Sequence, residues 1–333
     1  FLTGRYQQRS GIEFIVHPYT QHPVHYSGLQ RREITLGEVL QDAGYATGLI
    51  GKWHLGYAEE NPVYHPQNHG FDEFVGYHGG NDDYINHIGD HFEHDWWHGK
   101  KEVQEEGYLT DLITEHSVEF INRHKGEPFF LFVSHEAMHS PFQGRGDEPQ
   151  RMHDNDRLDR NPSLEKIKEM SDALDQGVDR IRRTLMELGI EQRTLVFFFS
   201  DNGGQRQTRS NSPRLRGAKG SVFEGGHRVP AIAWWPGTID SGAVRRQFST
   251  SLDLMPTFLS LAGTAAPEGH YLDGRDLTGI LFGDEIRRAG PFFWYAIGNR
   301  GNRSEAMREG SWKLVVDHPG ATPGTFANER VSL

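Results

Sequence analysis

Three polar sets stand directly behind short apolar runs: Lys52 with His54 after residues 45–50, His135, Glu136 and His139 after residues 129–134, and Asp201 with Asn202 after residues 195–199. A further lysine, Lys219, lies in a glycine-rich loop. Asp201 offers a carboxylate and Asn202 an amide carbonyl, hard oxygen donors of the kind Ca²⁺ or Mg²⁺ prefers, and Gly203-Gly204 lets the backbone turn sharply away. The same four residues are equally good turn chemistry. Lys52 and His54 are two apart, so on an extended segment both face one cavity. Taken singly, each is also an ordinary surface cation, and His139 an ordinary loop histidine. Together, cations, a proton-transfer group and hard-metal ligands behind several strands suit the binding and cleavage of an oxyanion ester, where positioning and electrostatics dominate.

The elements that must present these groups are those of an α/β sheet, whose ligands collect at the carboxyl ends of strands. Leu195-Val196-Phe197-Phe198-Phe199 is apolar without alternation, which predicts a strand covered on both faces, inside a parallel or mixed sheet. Thr35 and Glu38 have the spacing of a capping box, Leu36, Val39, Leu40 and Ala43 share a helical face, and Gly44 is placed to end that helix before a strand over 45–50. Leu112, Ile113, Phe120 and Ile121 predict a helix over 109–124, ahead of a strand over 129–134. Asn161 as cap and Pro162 in the first turn launch a long helix with Leu164, Ile167, Leu174, Val178, Ile181, Leu185 and Leu188 on its apolar face. A strand over 231–235 and a helix over 252–262 follow. Short runs at 292–295 and 312–316, the second behind Arg308-Glu309-Gly310, predict an antiparallel appendage. The expected architecture is α/β: a mixed, largely parallel central sheet with helices on both faces over residues 1–285, and the start of a small C-terminal α+β subdomain with an antiparallel sheet over 286–333.

Composition narrows the class. The 333 residues contain no Cys, which excludes disulfides, thiolate metal sites and a cysteine nucleophile within them. A net charge of -11 argues against a general nucleic-acid binder. No apolar run approaches the roughly 20 residues of a membrane helix. Residues 57–107 carry no convincing periodicity and are expected to form a functional surface excursion. Within it, Asn81, Asp83, Tyr84, His87, Trp96 and Trp97 mix hydroxyl-reading groups with flat aromatic faces, which suits a sugar ring and equally a solvated loop with anchored aromatics. The spacing of His87, His91, His94 and His98 also raises a zinc site. Arg206, Arg209, Arg214 and Arg216 form a basic loop that could read an oxyanion group or a carboxylate, or remain solvated.

Several of these stretches resemble one family. Gly44-Tyr45-Ala46-Thr47-Gly48-Leu49-Ile50-Gly51-Lys52-Trp53-His54 resembles the second signature of the type I sulfatases, members of the alkaline phosphatase superfamily. Phe1-Leu2-Thr3-Gly4-Arg5 resembles the tail of the first signature, which in the family begins C-x-P-S-R and carries the cysteine that becomes formylglycine. Ser134 to Pro141 resembles the active-site histidine segment, and Ser200-Asp201-Asn202-Gly203 the calcium-binding pair. Gly217-Ala218-Lys219-Gly220 through Glu224-Gly225-Gly226-His227-Arg228-Val229-Pro230 resembles the lysine loop. The matches occur in the family's order and span nearly the whole chain. Because the chain begins inside the first signature, a fragment of a longer sulfatase is expected, with the nucleophile, its neighbouring arginine and two further metal-binding aspartates upstream of Phe1.

The resemblance implies a sulfuric ester hydrolase of sulfated carbohydrate, matured by a formylglycine-generating enzyme and working in a periplasmic, secreted or lysosomal setting. It implies that Lys52, His54, His139 and Lys219 are catalytic and that Asp201 and Asn202 ligate one Ca²⁺. It also implies that His139 and Lys219 face the ester, that Lys52 and His54 hold the aldehyde hydrate, and that Glu224 and Arg228 brace the lysine loop. On this basis the 333 residues by themselves are expected to be inactive. Two other readings remain open: a phosphatase or phosphodiesterase of the same superfamily, and a non-catalytic glycan-binding remnant.

Overall fold

A computed structural model describes residues 1–12, 15–16, 28–59, 61–153, 155–156, 158–159, 161–205, 208, 214–297, 303–318 and 330–332. The capping box at Thr35 is formed. The Thr35 hydroxyl accepts from the Glu38 amide at 3.1 Å, and the Glu38 carboxylate accepts from the Thr35 amide at 2.9 Å. Two otherwise orphaned donors are thereby satisfied, which fixes the start of α1 (Leu36–Asp42). After it come β1 (Ala46–Lys52), β2 (Glu73–Tyr77), the two-residue strands β3 (Trp97–His98) and β4 (Lys101–Glu102), α2 (Leu109–His124) and β5 (Phe129–Ser134). The strands make a five-stranded mixed sheet in the order β4-β3-β2-β1-β5. β1 runs parallel to both neighbours, with Ile50 opposite Val75 and Val133.

Leu49 and Ile50 explain why this stretch is apolar without alternation. They point to opposite faces of β1, and both are fully buried. Ile50 packs with Leu112 and Ile113 of α2, whereas Leu49 packs with Phe71 and Phe74 on the other side. Gly48 lets α2 approach closely, because a Cβ there would lie 2.5 Å from the ring of Phe120.

Three expectations are corrected. The 57–107 excursion contains β2, an interior strand of the sheet, flanked by short 3₁₀ turns at Pro62–Tyr64 and Pro66–His69. β2 is only five residues long with a glycine inside it, so it carries little periodic signal. The long helix α3 (Leu164–Glu187) is capped by Ser163, which accepts from the Lys166 amide at 3.1 Å, rather than by Asn161. The third correction concerns β6 (Val196–Phe199), which pairs antiparallel with β7 (Ala231–Trp234) in a separate two-stranded sheet. Its side chains are not covered on both faces, and Phe198 is 37% exposed. An unbroken apolar run reports a tendency to be buried but does not name the partner strand.

Side chains join the two sheets. The Phe1 ring meets Phe132 of β5 and Phe199 of β6 edge-on, at 4.9 and 5.8 Å. Leu131 of β5, Val196 of β6 and Trp234 of β7 pack together around Ile121, Leu185 and Ile190. On the face opposite α2 and α3, α1 packs against Met255 and Leu259 of α4 (Leu254–Leu261). The expected C-terminal sheet is four-stranded and antiparallel: β8 (Phe292–Ile297), β9 (Arg303–Glu309), β10 (Trp312–His318) and β11 (Arg330–Ser332), paired in that order. Among the described residues, no helix is long and apolar enough to cross a membrane.

Candidate active site

The carboxyl ends of β1, β2 and β5 meet at Glu136. Its side chain is fully buried. Oε2 accepts a hydrogen bond from the Tyr77 hydroxyl and lies 3.8 Å from Lys52 Nζ, while Oε1 lies 3.3 Å from His139 Nδ1. Tyr77 and Lys52 are register partners at the ends of β2 and β1, so the sheet itself sets two of these contacts. Burial alone would raise the Glu136 pKa; Lys52, His139 and Tyr77 reverse that and hold the carboxyl below its ordinary value. Glu136 is therefore an anion that compensates, and is compensated by, the cationic groups around it.

His139 Nδ1 also lies 2.9 Å from the Ser140 carbonyl oxygen. The two nearer neighbours of Nδ1 are acceptors only, and the Ser140 hydroxyl at 3.4 Å can accept as well, so Nδ1 carries the hydrogen and Nε2 is left for a ligand. His54 follows Trp53, whose indole N–H donates to the Tyr64 carbonyl at 2.9 Å and anchors the segment. The His54 Nε2 lies 3.0 Å from the Val16 carbonyl. Burial, reinforced by the charge of Lys52, pushes the His54 pKa down to about 4, so the ring is neutral at neutral pH.

Glycines dock the lysine loop onto the Asp-Asn turn. The Gly203 amide donates to Gly226 at 2.9 Å and the Lys219 amide donates to Gly204 at 3.0 Å. A Cβ on Gly203 would fall 1.9 Å from the Gly225 carbonyl oxygen, which no side chain permits. Asp201 is exposed and accepts from the Asn202 amide nitrogen. Desolvation holds the Lys219 pKa below the ordinary lysine value; Asp201 opposes it, Lys52 adds to it and Glu136 opposes it, so these four groups share one field. The C-terminal sheet braces this loop: Lys313 of β10 donates to Glu224 at 3.1 Å, and Val315 and Ala306 pack on Val222. Glu224 lies 3.7 Å from Arg228, in keeping with a bracing pair.

Asp201 and Asn202 fit a hard cation by donor chemistry, though as one carboxylate and one amide oxygen they supply part of the roughly six to eight ligands of Ca²⁺. The residues expected to read a sugar are placed differently. Asp83 is buried and accepts from the Gln143 side chain and from the amides of Ile85, Asn86, Gln150 and Arg151. Tyr84 is buried and donates to the His139 carbonyl at 3.1 Å, and buried His87 lies 3.1 Å from the Gly107 carbonyl. Asn81 is partly exposed, with its side-chain oxygen accepting from Arg151 at 2.6 Å. Trp96 and Trp97 donate to Glu105 and Asp95. These side chains hold the excursion together, because groups that can read hydroxyls can equally well close a loop.

Arg206 and Arg209 lie outside the described residues; Arg216 stacks over Phe223 at 3.9 Å. His87, His91, His94 and His98 do not form one cluster: His94 faces Glu102 and His98 faces Glu105. The sequence left Glu136 and Tyr77 without a role. A carboxylate between two histidines in a polar strand end was the available signal for Glu136.

Lys52 and His139 at strand ends, Lys219 in the docked loop and Asp201 are thus grouped with the buried Glu136 anion on a mixed α/β scaffold. The chain belongs to the sulfatase family, whose model matches residues 1–264. It is 34% identical to the N-acetylgalactosamine-6-sulfatase of Canis lupus familiaris, over 94% of this chain and 60% of that protein. It is 31% identical to an arylsulfatase of Hemicentrotus pulcherrimus, over 94% of this chain and 56% of that one. The chain thus spans somewhat over half the length of these relatives. The solved structure of Ps i-CgsB in complex with k-i-k-neocarrahexaose superposes with a TM-score of 0.83 at 28% identity, covering 99% of this chain and 73% of its own.

Proposed function

We propose that the protein is a sulfuric ester hydrolase that removes sulfate from a sulfated carbohydrate. The observation that carries this reading is the gathering of Lys52, His139 and Lys219 around the buried Glu136 anion, beside Asp201. A sulfate ester presents charged oxygens to Lys219 and a poor leaving group to a proton donor, and both needs are met here. The names of the relatives, an N-acetylgalactosamine-6-sulfatase and a protein bound to a neocarrahexaose, support carbohydrate as the substrate class.

Lys219 binds and orients sulfate oxygens, and Lys52 with His54 holds the aldehyde hydrate. His139 is held at Nδ1 by the Ser140 carbonyl and Glu136; in its doubly protonated form it delivers the Nε2 proton to the departing alcohol oxygen and is left as the neutral Nδ1–H ring. His54 is neutral at neutral pH and accepts the proton whose removal accompanies sulfate release. Asp201 and Asn202 would hold Ca²⁺, which when bound polarises sulfate oxygens, and formylglycine supplies the attacking oxygen. The C-x-P-S-R stretch that yields formylglycine is not among the 333 residues. These residues assayed by themselves should therefore leave an aryl sulfate intact. The deciding experiment offers the mature full-length protein an aryl sulfate and the matching aryl phosphate. Sulfate release that dominates phosphate release supports the proposal; the reverse preference favours a phosphatase.

A further inference from the structure

Beside His54, the excursion between β2 and α2 folds into a pocket crowded with carboxylates. Asp82 and Asp95 are fully buried there, and Asp90 and Glu59 are partly covered. Among the described residues, neither carboxylate oxygen of Asp82 has a hydrogen-bond partner. A buried carboxylate without a partner is rare and calls for a counter-charge or a bound ligand. The surroundings make this more acute, because the charges of Asp95, Glu136 and Asp90 all bear on Asp82, with Arg151 opposing them.

Carboxylate oxygens surround Gly79. A Cβ on Gly79 would sit 2.9 Å from Asp95 Oδ2, 3.1 Å from Asp90 Oδ1 and 3.5 Å from Asp82 Oδ1. On the adjoining side, a Cβ on Gly89 would sit 2.8 Å from His91 Nδ1 and 3.3 Å from Asp82 Oδ1. Ligand atoms of Glu59, His91 and Asp95 lie within 4.8 Å of one another. Glycine occupies the two positions where a side chain would fill the cradle. The carboxylates are held in place from behind. Asp95 accepts from the amides of His78 at 3.1 Å and Gly79 at 2.8 Å and from the Trp97 indole at 2.8 Å. Asp90 accepts from the Tyr57 hydroxyl at 3.0 Å, and Glu59 faces His78 Nδ1 at 2.7 Å. Such support orients ligating carboxylates without using all their lone pairs.

We propose that this cluster is a second divalent-cation site, distinct from the Asp201–Asn202 pair, with Glu59, His91 and Asp95 as its ligands and the unpartnered Asp82 completing the set. A carboxylate-rich set with one imidazole suits Mn²⁺ or Zn²⁺. A cation there ties the segment after β2 to itself and steadies the wall beside His54, since a Cβ on Gly80 would lie 2.8 Å from Asp90 Oδ2 and 2.9 Å from His54 Nε2.

The test needs no catalytic turnover, so it stands or falls apart from the sulfatase reading. Mn²⁺, and separately Zn²⁺, is titrated calorimetrically into the intact protein carrying Asp201→Ala, and thermal unfolding is followed with and without the metal. One equivalent of at least one of the two metals should bind and raise Tm. Asp82→Asn, added to that background, should weaken binding at least ~10-fold and abolish the metal-dependent rise in Tm, the signature of a ligand lost from the folded state. Without metal it should unfold no lower than its parent, because Asn keeps the shape of a carboxyl whose oxygens have no partner to lose. Should Asp82→Asn fail to fold, His91→Ala at the pocket rim carries the same expectation. Absence of stoichiometric binding of either metal, or binding undiminished in the variant tested, overturns the proposal.

Discussion

Glu136 and His139 face each other across one turn of chain, Oε1 to Nδ1 at 3.3 Å, while the other Glu136 oxygen reaches toward Lys52. The carboxylate ties an imidazole and an ammonium group to one fixed point on the sheet. Glu136 is thus a positioning residue, and substitution should separate its charge from its shape. Glu136→Gln keeps the shape and removes the charge; Glu136→Asp keeps the charge and shortens the reach. In the mature full-length protein, kcat for sulfate release should fall at least ~10-fold in Glu136→Gln, with KM changed much less, and Glu136→Asp should retain more activity than Glu136→Gln. A purely steric role would reverse that order.

The lysine loop depends on a glycine contact. Gly203→Ala would drive a Cβ into the Gly225 carbonyl, so the 217–226 segment must move and take Lys219 with it. A displacement of about 1 Å at a catalytic group can cost on the order of 100-fold in rate. Gly203→Ala should therefore lower both kcat/KM and Tm. Gly126→Ala, where the added methyl meets nothing within 4 Å, serves as the neutral control.

Much of this frame was legible in the sequence. The 109–124 helix and the 129–134 strand followed from periodicity and an unbroken apolar run, and the Thr35 box from its three-residue spacing. Lys52, His54, His139, Asp201 and Asn202 could be singled out because polar residues follow apolar runs, and Lys219 because it lies in a glycine-rich loop. The Glu136 network could not, since Tyr77 is 59 residues away and meets it only through strand register. Burial was also hidden: Asp83, Tyr84 and His87 have the chemistry of sugar readers, yet hydrogen bonds within the protein occupy them. The antiparallel partner of β6 lay beyond reach for the same reason, because pairing is a property of two segments.

Acid should destabilise the fold across a defined window. Burial lowers the pKa of His54, His65, His69, His87, His135 and His227 from 6.5 to about 4 in each case. Between those two values the unfolded chain binds more protons than the folded one, so stability falls as pH drops from 6.5 toward 4 and changes little from these groups above 6.5. His91 and His124, and the buried carboxyls of Asp82 and Asp95, are shifted upward and act in the opposite sense, and are outnumbered by the six lowered histidines. Urea unfolding at pH 7.5, 6 and 4.5 should show a midpoint that declines at each step. A midpoint constant over that range would mean that these rings are not buried as neutral groups.

Calcium affinity should reside in more than this chain. Asp201 and Asn202 provide a minority of the roughly six to eight oxygens Ca²⁺ takes, so the 333 residues alone should bind it weakly. The full-length protein should bind it well and lose affinity in Asp201→Ala. Calorimetric titration of both lengths checks this, and equal affinity in the two would show that the metal ligands are other residues.

The most direct test of the central claim is the rate of sulfate release from a sulfated oligosaccharide by the mature full-length protein, compared with its His139→Ala and Lys219→Ala variants. The site described here predicts sulfate as the product and a fall in kcat of at least ~100-fold in each variant, the scale expected for losing a group that protonates or stabilises the transition state. Undiminished sulfate release in both variants would contradict it.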